Sequence, residues 1–584
     1  MVLFYQRKEK FIDESFPPVS KSLYYDPKIN KEECQWLRPC KIESCYDESE
    51  TDWVMIRYPL EASDIIQGSL GNCWLVSALT VLVKQPQLLE RVIVTKNICP
   101  EGAYHFQLYK NGYWKSVVVD DLLPCDADGF LLYSEAKRKQ LWVSLIEKAA
   151  AKLYGCYEAL ESGRVIDGLQ ILTGAPCENI ILNPSTTEEE IDKDFIWAQL
   201  LSMYSAKFLF GATSGGGSNS QLNEQYYKIG LIPRHAYSVL HIFHDDNLRL
   251  LCLRNPWANY VWKGNWSTHS RLWTSKLRKK LMPSDSDESS FWISFEDVLK
   301  YFHSINVCKI RSNWHETQFE GTYPCFADHR NLTAVKIYIS EITELELMLY
   351  QNDQRNVENS KRSYLDLYIT VFHTSSGHIG LFKECSSHQI RSFVGCNIML
   401  EMGEYVVICF AFNHWNTNVK SEDYPKSHLV IQSSKCLQMK KALSPKHVFA
   451  DSIINLAIAK GARHEGRKGM TAYYLTKNWA GLVVVIENRL PNLAIQVFCD
   501  CSKSTNVVST RKTLFTADRI PPLHRQVVML LTQVRAGENY TIVLRLTHYL
   551  FGNKVVQKIL PPRIKHSPKI NSELAGLHEP KPLF

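Results

Sequence analysis

Long apolar runs are missing from this 584-residue chain. The longest, such as Leu482 to Ile486, fall far short of a bilayer's thickness. The opening decapeptide, Met1 to Lys10, has no apolar h-region, so no secretory signal is expected. Concentrated charge is missing too. A net charge of +7 is mild at this length and comes without a basic stripe, so nucleic acid is not an expected partner. The seventeen cysteines lack paired, framework-like spacing, which excludes a disulfide scaffold and points to free thiols in a reducing, cytoplasmic compartment. Cys34, Cys40 and Cys45 lack Cys-x2-Cys spacing, so no zinc is expected. Asp126 to Gly129 matches part of a calcium loop, but the remaining ligands and closing Glu are absent and it reads as a turn.

What is present is enough chain for three or four domains, with a composition ordinary for a globular protein. Its most informative stretch is Gln67-Gly68-Ser69-Leu70-Gly71-Asn72-Cys73-Trp74. From Trp74 to Val83 the chain is apolar nearly all round, which predicts a buried helix stopped by Gln85-Pro86. Asn72 is the expected N-cap. Cys73 then sits at the positive end of the helix dipole, where thiolate is favoured over thiol. Gln67 is placed to point an amide N–H at a developing oxyanion beside the Cys73 backbone N–H. The bland alternative is an inert core cysteine.

A cysteine nucleophile needs a base, and the base needs an orienting group. Ala236 to Phe243 and Leu248 to Leu253 are β-rich, with His244-Asp245-Asp246-Asn247 as the turn between them. A hairpin centred on Asp245 sets His235 opposite Asn255, an imidazole beside a carboxamide. Trp257 follows and is expected to shield that pair from water.

These motifs resemble the signature of the calpain cysteine-protease family. The resemblance rests on Gln67 to Trp74, on Gly230 to Ser238 with its His-Ala-Tyr-Ser, and on Arg254-Asn255-Pro256-Trp257. Further matching blocks are Phe16-Pro17-Pro18, Trp36-Leu37-Arg38-Pro39, Val119-Asp120-Asp121 and Leu141-Trp142 through Tyr157-Glu158-Ala159-Leu160. The C-terminal part resembles the small-optic-lobes, or calpain-fifteen, branch. Its matching stretches are Asn478 to Leu482, Cys499-Asp500-Cys501, Asn506 to Arg511, Pro521 to Val527 and Ala575 to His578.

The resemblance implies an α+β chain. A papain-like two-lobed protease core would be followed by a C2-like β-sandwich and a second β-rich C-terminal domain. The expected segments are an entry segment 1–50, a cysteine lobe 51–162, a histidine/asparagine lobe 163–310, a C2-like domain 316–434, a linker 435–469, a branch-specific β domain 470–560 and a flexible tail 561–584. Val448 to Lys460 reads as an amphipathic helix, packed on a neighbouring domain or, less expectedly, touching membrane or calmodulin. The second strong helix is expected over Lys139 to Tyr154.

By the same resemblance the activity is limited cleavage of proteins. Cys73 would be the nucleophile, His235 the base, Asn255 the orienter, Gln67 the oxyanion residue and Trp257 the shield. The family closes its cleft with calcium. Asp64 and Glu147 are the carried-over acids of the first lobe and suit a hard cation. In the second lobe the family's acids fall at Val261 and Thr268, which carry no carboxylate, and near Glu288 and Ser290, with Asp285 and Asp287 close by. Asn72 stands where the family usually has Asp, and Ala258 where it has Gly. No penta-EF-hand pattern occurs, so no small regulatory subunit is expected. The C2-like domain is expected to contact phospholipid or a partner, or simply to hold the lobes. The rival reading is a catalytically silent scaffold that binds membrane or partners through its β domains.

Overall fold

The computed structural model describes residues 10–583 apart from 27, 29–33, 45–51, 183–191, 218–219, 246, 258–259, 283–288, 358–362, 376–377, 418, 467–468 and 551–563. The chain divides into two units: Met1–Ser312 with Arg355–Lys361, and Asn313–Gln354 with Arg362–Phe584.

In the first unit the apolar run after Asn72 forms helix α1 (Cys73–Leu82), and every residue from Trp74 to Leu82 is buried. A helix without a polar face must be enclosed on all sides. The neighbouring hairpin, β1 (Ala103–Lys110) and β2 (Tyr113–Asp120), turns through Asn111 and Gly112, both at positive φ, as a two-residue primed turn requires. Helix α2 (Trp142–Tyr154) starts three residues later than its apolar spacing predicts. Arg138 and Lys139 hold φ of 59° and 48°, and a right-handed helix cannot run through left-handed residues. Helix α3 (Val165–Thr173) lies against α1. A Cβ added at Gly168 of α3 would meet the Trp74 carbonyl oxygen at 2.6 Å and the Ala78 Cβ at 2.9 Å, so the closeness of this pair requires glycine. The described part of the entry segment belongs to this lobe. Asp13 N–H donates to Asp120 Oδ2 (2.7 Å), and the Asp13 carboxylate pairs with Lys152 (2.6 Å).

The second lobe is built on one antiparallel sheet of β3 (Cys177–Ile181), β4 (Leu209–Ser214), β5 (Ala236–Asp245), β6 (Leu248–Arg254), β7 (Ser290–Ser294) and β8 (Phe302–Cys308), in spatial order β7-β6-β5-β4-β8-β3. Side chains on one face of it, among them Tyr237, Leu251, Phe291 and Ile305, form that lobe's core.

The second unit holds two β-sandwiches. The first pairs a four-stranded sheet, β9 (His315–Thr322), β11 (Thr343–Gln351), β14 (Phe393–Leu400) and β16 (Lys426–Ser433), with a larger one. The larger is built on β10 (Ala334–Ile339), β12 (Asp366–Ser375), β13 (His378–Cys385), β15 (Gly403–Phe410) and β17 (Gln438–Lys441). The region expected as a linker is structured: β17 is followed by helix α4 (Val448–Lys460) and β18 (Ala462–Glu465). Helix α4 buries Val448, Phe449, Ile453, Ile454 and Leu456 in a core shared with Phe372 and Phe410 on one side and Val483, Val485 and Leu530 on the other. It is a core element of the unit, which leaves its apolar side no membrane or calmodulin to meet.

The second sandwich contains β19 (Met470–Leu475), β20 (Gly481–Asn488), β21 (Ile495–Asp500), β22 (Val507–Ser509), β23 (Phe515–Ile520), β24 (His524–Gln533) and β25 (Arg545–Leu550). The expected flexible tail is also structured from residue 564 onward. β26 (His566–Ser567) pairs with β23, and β27 (Lys581–Pro582) pairs with β24. Between them helix α5 (Ser572–His578) buries Leu574, Leu577 and His578. Pro and Lys composition suggested solvent; two leucines at helical spacing decided otherwise. Among the described residues no helix is long and apolar enough to cross a membrane.

Candidate active site

The site lies in the first unit, where the N-terminus of α1 meets the start of β5. Ser77 Oγ donates to the Ala236 carbonyl (3.1 Å), and Ser238 Oγ donates to the Ser77 carbonyl (2.9 Å), so helix and sheet are bonded directly. Cys73 is half-buried. Burial pushes its thiol above the ordinary value, while the backbone N–H groups of Ala236, Trp74 and Cys73 pull it down. Desolvation is the larger effect and opposes the thiolate that the helix dipole was expected to favour.

Asn72 departs from the expected cap. Its side chain accepts no hydrogen bond from the helix; its Nδ2 donates to Glu147 Oε1 at 2.6 Å instead. The helix ladder starts from the Asn72 carbonyl, which accepts from Leu75 and Val76. Gly68 lets the loop pass over Tyr133, whose carbonyl a Cβ would meet at 2.5 Å. Gln67 Nε2 donates one hydrogen to the Leu70 carbonyl (2.7 Å), which leaves Nε2 a second hydrogen to donate.

His235 is buried and its Nε2 lies 2.9 Å from Asn255 Oδ1. The carboxamide's orientation follows from its neighbours. Trp257 N–H can only donate, and meets Oδ1 at 3.0 Å; the Tyr260 carbonyl can only accept, and meets Nδ2 at 2.9 Å. Oδ1 therefore accepts from His235 Nε2–H, which leaves the lone pair on Nδ1. Burial pushes the imidazolium pKa down to about 4, opposed by the Asn255 bond. Trp257 covers the ring at 4.9 Å between centroids and is 38% exposed, an indole between the pair and solvent.

The hairpin register differs from the expected one. Leu248 pairs with Asp245, and a bulge between Cys252 and Leu253 brings Arg254 opposite Ser238. Extended by one step, that register sets Asn255 opposite Tyr237, and His235 reaches Asn255 diagonally, two residues along on the same face. Two contributors were missed. Tyr237 packs edge-on to His235 at 5.1 Å, a neighbour that the two-residue strand period would have found. The buried Arg254 donates to the Ile65 carbonyl at 2.8 Å, and no sequence pattern signals a bond between such distant residues. Beside it, Gln67 N–H donates to the Pro256 carbonyl (3.2 Å). The Ile65–Gln67 segment is thus tied to the Asn255 turn on both sides.

The two acids expected to bind calcium each meet hydrogen-bond donors of the chain. The Asp64 carboxylate receives Arg138 Nε (3.0 and 3.1 Å), a close Arg138 Nη2 and Gln140 Nε2 (2.9 Å). Glu147 is fully buried and receives Ser134 N–H (3.0 Å), the Ser134 hydroxyl and Asn72 Nδ2. Burial pushes Glu147 up to about 7, against those bonds. Calcium needs six to eight oxygen lone pairs, and these carboxylates are surrounded by hydrogens. Asp285, Asp287, Glu288 and Ala258 lie outside the described residues. Among the described residues no cluster of His, Cys, Asp and Glu is arranged to hold a metal.

A cysteine on a helix N-terminus beside a histidine–asparagine pair on a sheet is the layout of a cysteine protease. The sequence profile of the calpain family cysteine protease matches residues 11–309, just over half of the chain, and the profile of the calpain-D-like C-terminal domain matches residues 456–553. The chain belongs to the calpain family. The calpain-type cysteine protease DEK1 of Zea mays is 37% identical over 310 residues, 52% of this chain and 14% of that protein. DEK1 of Arabidopsis thaliana is 38% identical over 311 residues, with the same coverage. Calpain-5 of Mus musculus is 30% identical over 355 residues, 54% of this chain and 53% of that protein. The match thus spans about half of calpain-5 and a small part of the plant proteins.

Proposed function

We propose that the chain is an endopeptidase that cuts proteins at a few exposed, extended segments inside the cell. The observation that carries this reading is the oriented His235–Asn255 pair, with Cys73 against the backbone N–H of the adjoining Ala236. The His235 Nδ1 lone pair takes the thiol proton as the Cys73 sulfur attacks the scissile carbonyl carbon. The oxyanion that forms is met by the Cys73 backbone N–H and the second Gln67 Nε2 hydrogen. The imidazolium returns its proton to the leaving amine, and a thioester remains. His235 then takes a proton from water, whose oxygen attacks the thioester carbon and releases the acid and the thiol. The neutral His235 ring supports a proton transfer coupled to attack.

The cytoplasmic setting is supported by the cysteine pattern, seventeen residues without paired, framework-like spacing. We assign the C-terminal half to the small-optic-lobes type and its first sandwich to a C2-like domain that contacts phospholipid or a protein partner, supported by the C-terminal motif blocks and the two-sheet architecture. The test is cleavage of unfolded casein by the purified chain beside Cys73→Ala. Cleavage by the parent alone is expected. No cleavage by a demonstrably folded parent overturns the reading and favours a silent scaffold.

A further inference from the structure

Asp64 lies three residues before Gln67, at the end of the 3-10 turn Ala62–Asp64 and just before the short strand Ile65–Ile66 that pairs with Glu135–Ala136. The chain leaves that pairing through Arg138, whose left-handed φ of 59° turns it back over Asp64. The guanidinium meets the Asp64 carboxylate through Nε and Nη2, and Nη2 also donates to the Pro59 carbonyl at 3.0 Å. Gln140 completes the set. Its Nε2 donates to Asp64 Oδ2 (2.9 Å) and the Lys137 carbonyl (3.0 Å), while its Oε1 accepts from Arg57 N–H (2.8 Å). Asp64 is 4% exposed and Gln140 fully buried, so this is a built site with a fixed donor pattern. Everything it holds in place leads to the reaction centre: Ile65 is bonded to Arg254, and Gln67 to Pro256, on either side of Asn255.

We propose that the Arg138 guanidinium is a resident cation that does at Asp64 what a bound calcium ion would otherwise do, so that the Ile65–Gln67 segment and the Asn255 turn are held in register without metal at the Asp64–Glu147 position. A bidentate guanidinium neutralises a buried carboxylate and fixes its plane, as a metal does, but it cannot dissociate when calcium falls. Calcium control of this lobe is thereby removed, and any calcium response of the chain arises elsewhere.

The test is the thermal unfolding of the full chain in millimolar calcium and in chelator, for the parent, Asp64→Asn, Arg138→Ala and Arg138→Lys. This readout does not depend on cleavage, so it stands whether or not the protease reading holds. The Arg138→Ala melting temperature is expected to fall by about 6 °C or more, equally in calcium and chelator, because a buried carboxylate loses its partner. Arg138→Lys should recover part of that loss. Any calcium shift seen in the parent should persist in Asp64→Asn. A calcium shift in the parent that vanishes in folded Asp64→Asn, or an Arg138→Ala that melts with the parent, would overturn the proposal.

Discussion

Asn255 decides which nitrogen of His235 can take a proton. Its Oδ1 is turned toward the ring by two backbone groups that can each bond only one way, so the basic lone pair is on Nδ1. Burial then holds the imidazolium down to about 4, so His235 is a neutral base throughout the range above that. We expect the acid limb of kcat/KM to fall near pH 4, well below the ~6.5 of a free imidazole, and a pH–rate profile of the free enzyme checks it. A limb near 6.5 would mean a solvated ring and no effective cover by Trp257. The same depression carries a stability consequence with a fixed sign. The neutral ring's contribution is fully present above 6.5 and is lost as pH falls from 6.5 to about 4, because the unfolded histidine takes its proton first.

At the scale of elements, α3 backs the helix α1 that carries Cys73. Gly168 lets the two helices touch at the Trp74 carbonyl, one residue from Cys73. Gly168→Ala is expected to destabilise the fold by about 1–3 kcal/mol, since the added methyl meets backbone that cannot rotate away. It should also lower kcat, because the strain is relieved by moving the N-terminus of α1. Denaturant unfolding and steady-state kinetics on the one variant check both, and an unchanged stability would show that the helices separate freely. Arg355 supports the same corner. Its guanidinium lies 4.3 Å over the Trp74 ring and donates to the Ser162 carbonyl at 2.7 Å. Much of this was legible in the sequence: the all-apolar run had to be a buried helix, and its first residue had to be Cys73. The hairpin was legible only in part. Its turn composition located the loop, but the bulge between Cys252 and Leu253 shifts the register, and a bulge has no compositional signal when both residues are apolar.

Across the whole molecule, the second unit is held from its ends. The C-terminal residues supply a strand to each sheet of the second sandwich and the helix α5 between them. His578 is buried there, its Nδ1 donating to the Val527 carbonyl (2.7 Å) and its Nε2 accepting from the Thr510 hydroxyl (2.9 Å). Removing residues 561–584 is expected to destabilise this unit by several degrees in calorimetric melting, because Leu574 and Leu577 lose their burial and Thr510 its partner. A truncated chain that melts with the parent would return the segment to the role of a loose tail. Helix α4 makes the same point, since an apparent linker supplies the core common to two sheets.

The sequence by itself determined the family, the α+β class, the helix that presents Cys73, and the residue types at His235, Asn255, Gln67 and Trp257, because those depend on spacing along the chain and on side-chain chemistry. Tertiary structure decided everything that depends on what faces what. It turned Asn72 from cap to Glu147 partner, aimed Arg138 at Asp64, and anchored the tail through Leu574, Leu577 and His578. At Cys73 it added burial, which exists only once the chain has packed and pushes the thiol up against the backbone N–H groups that pull it down.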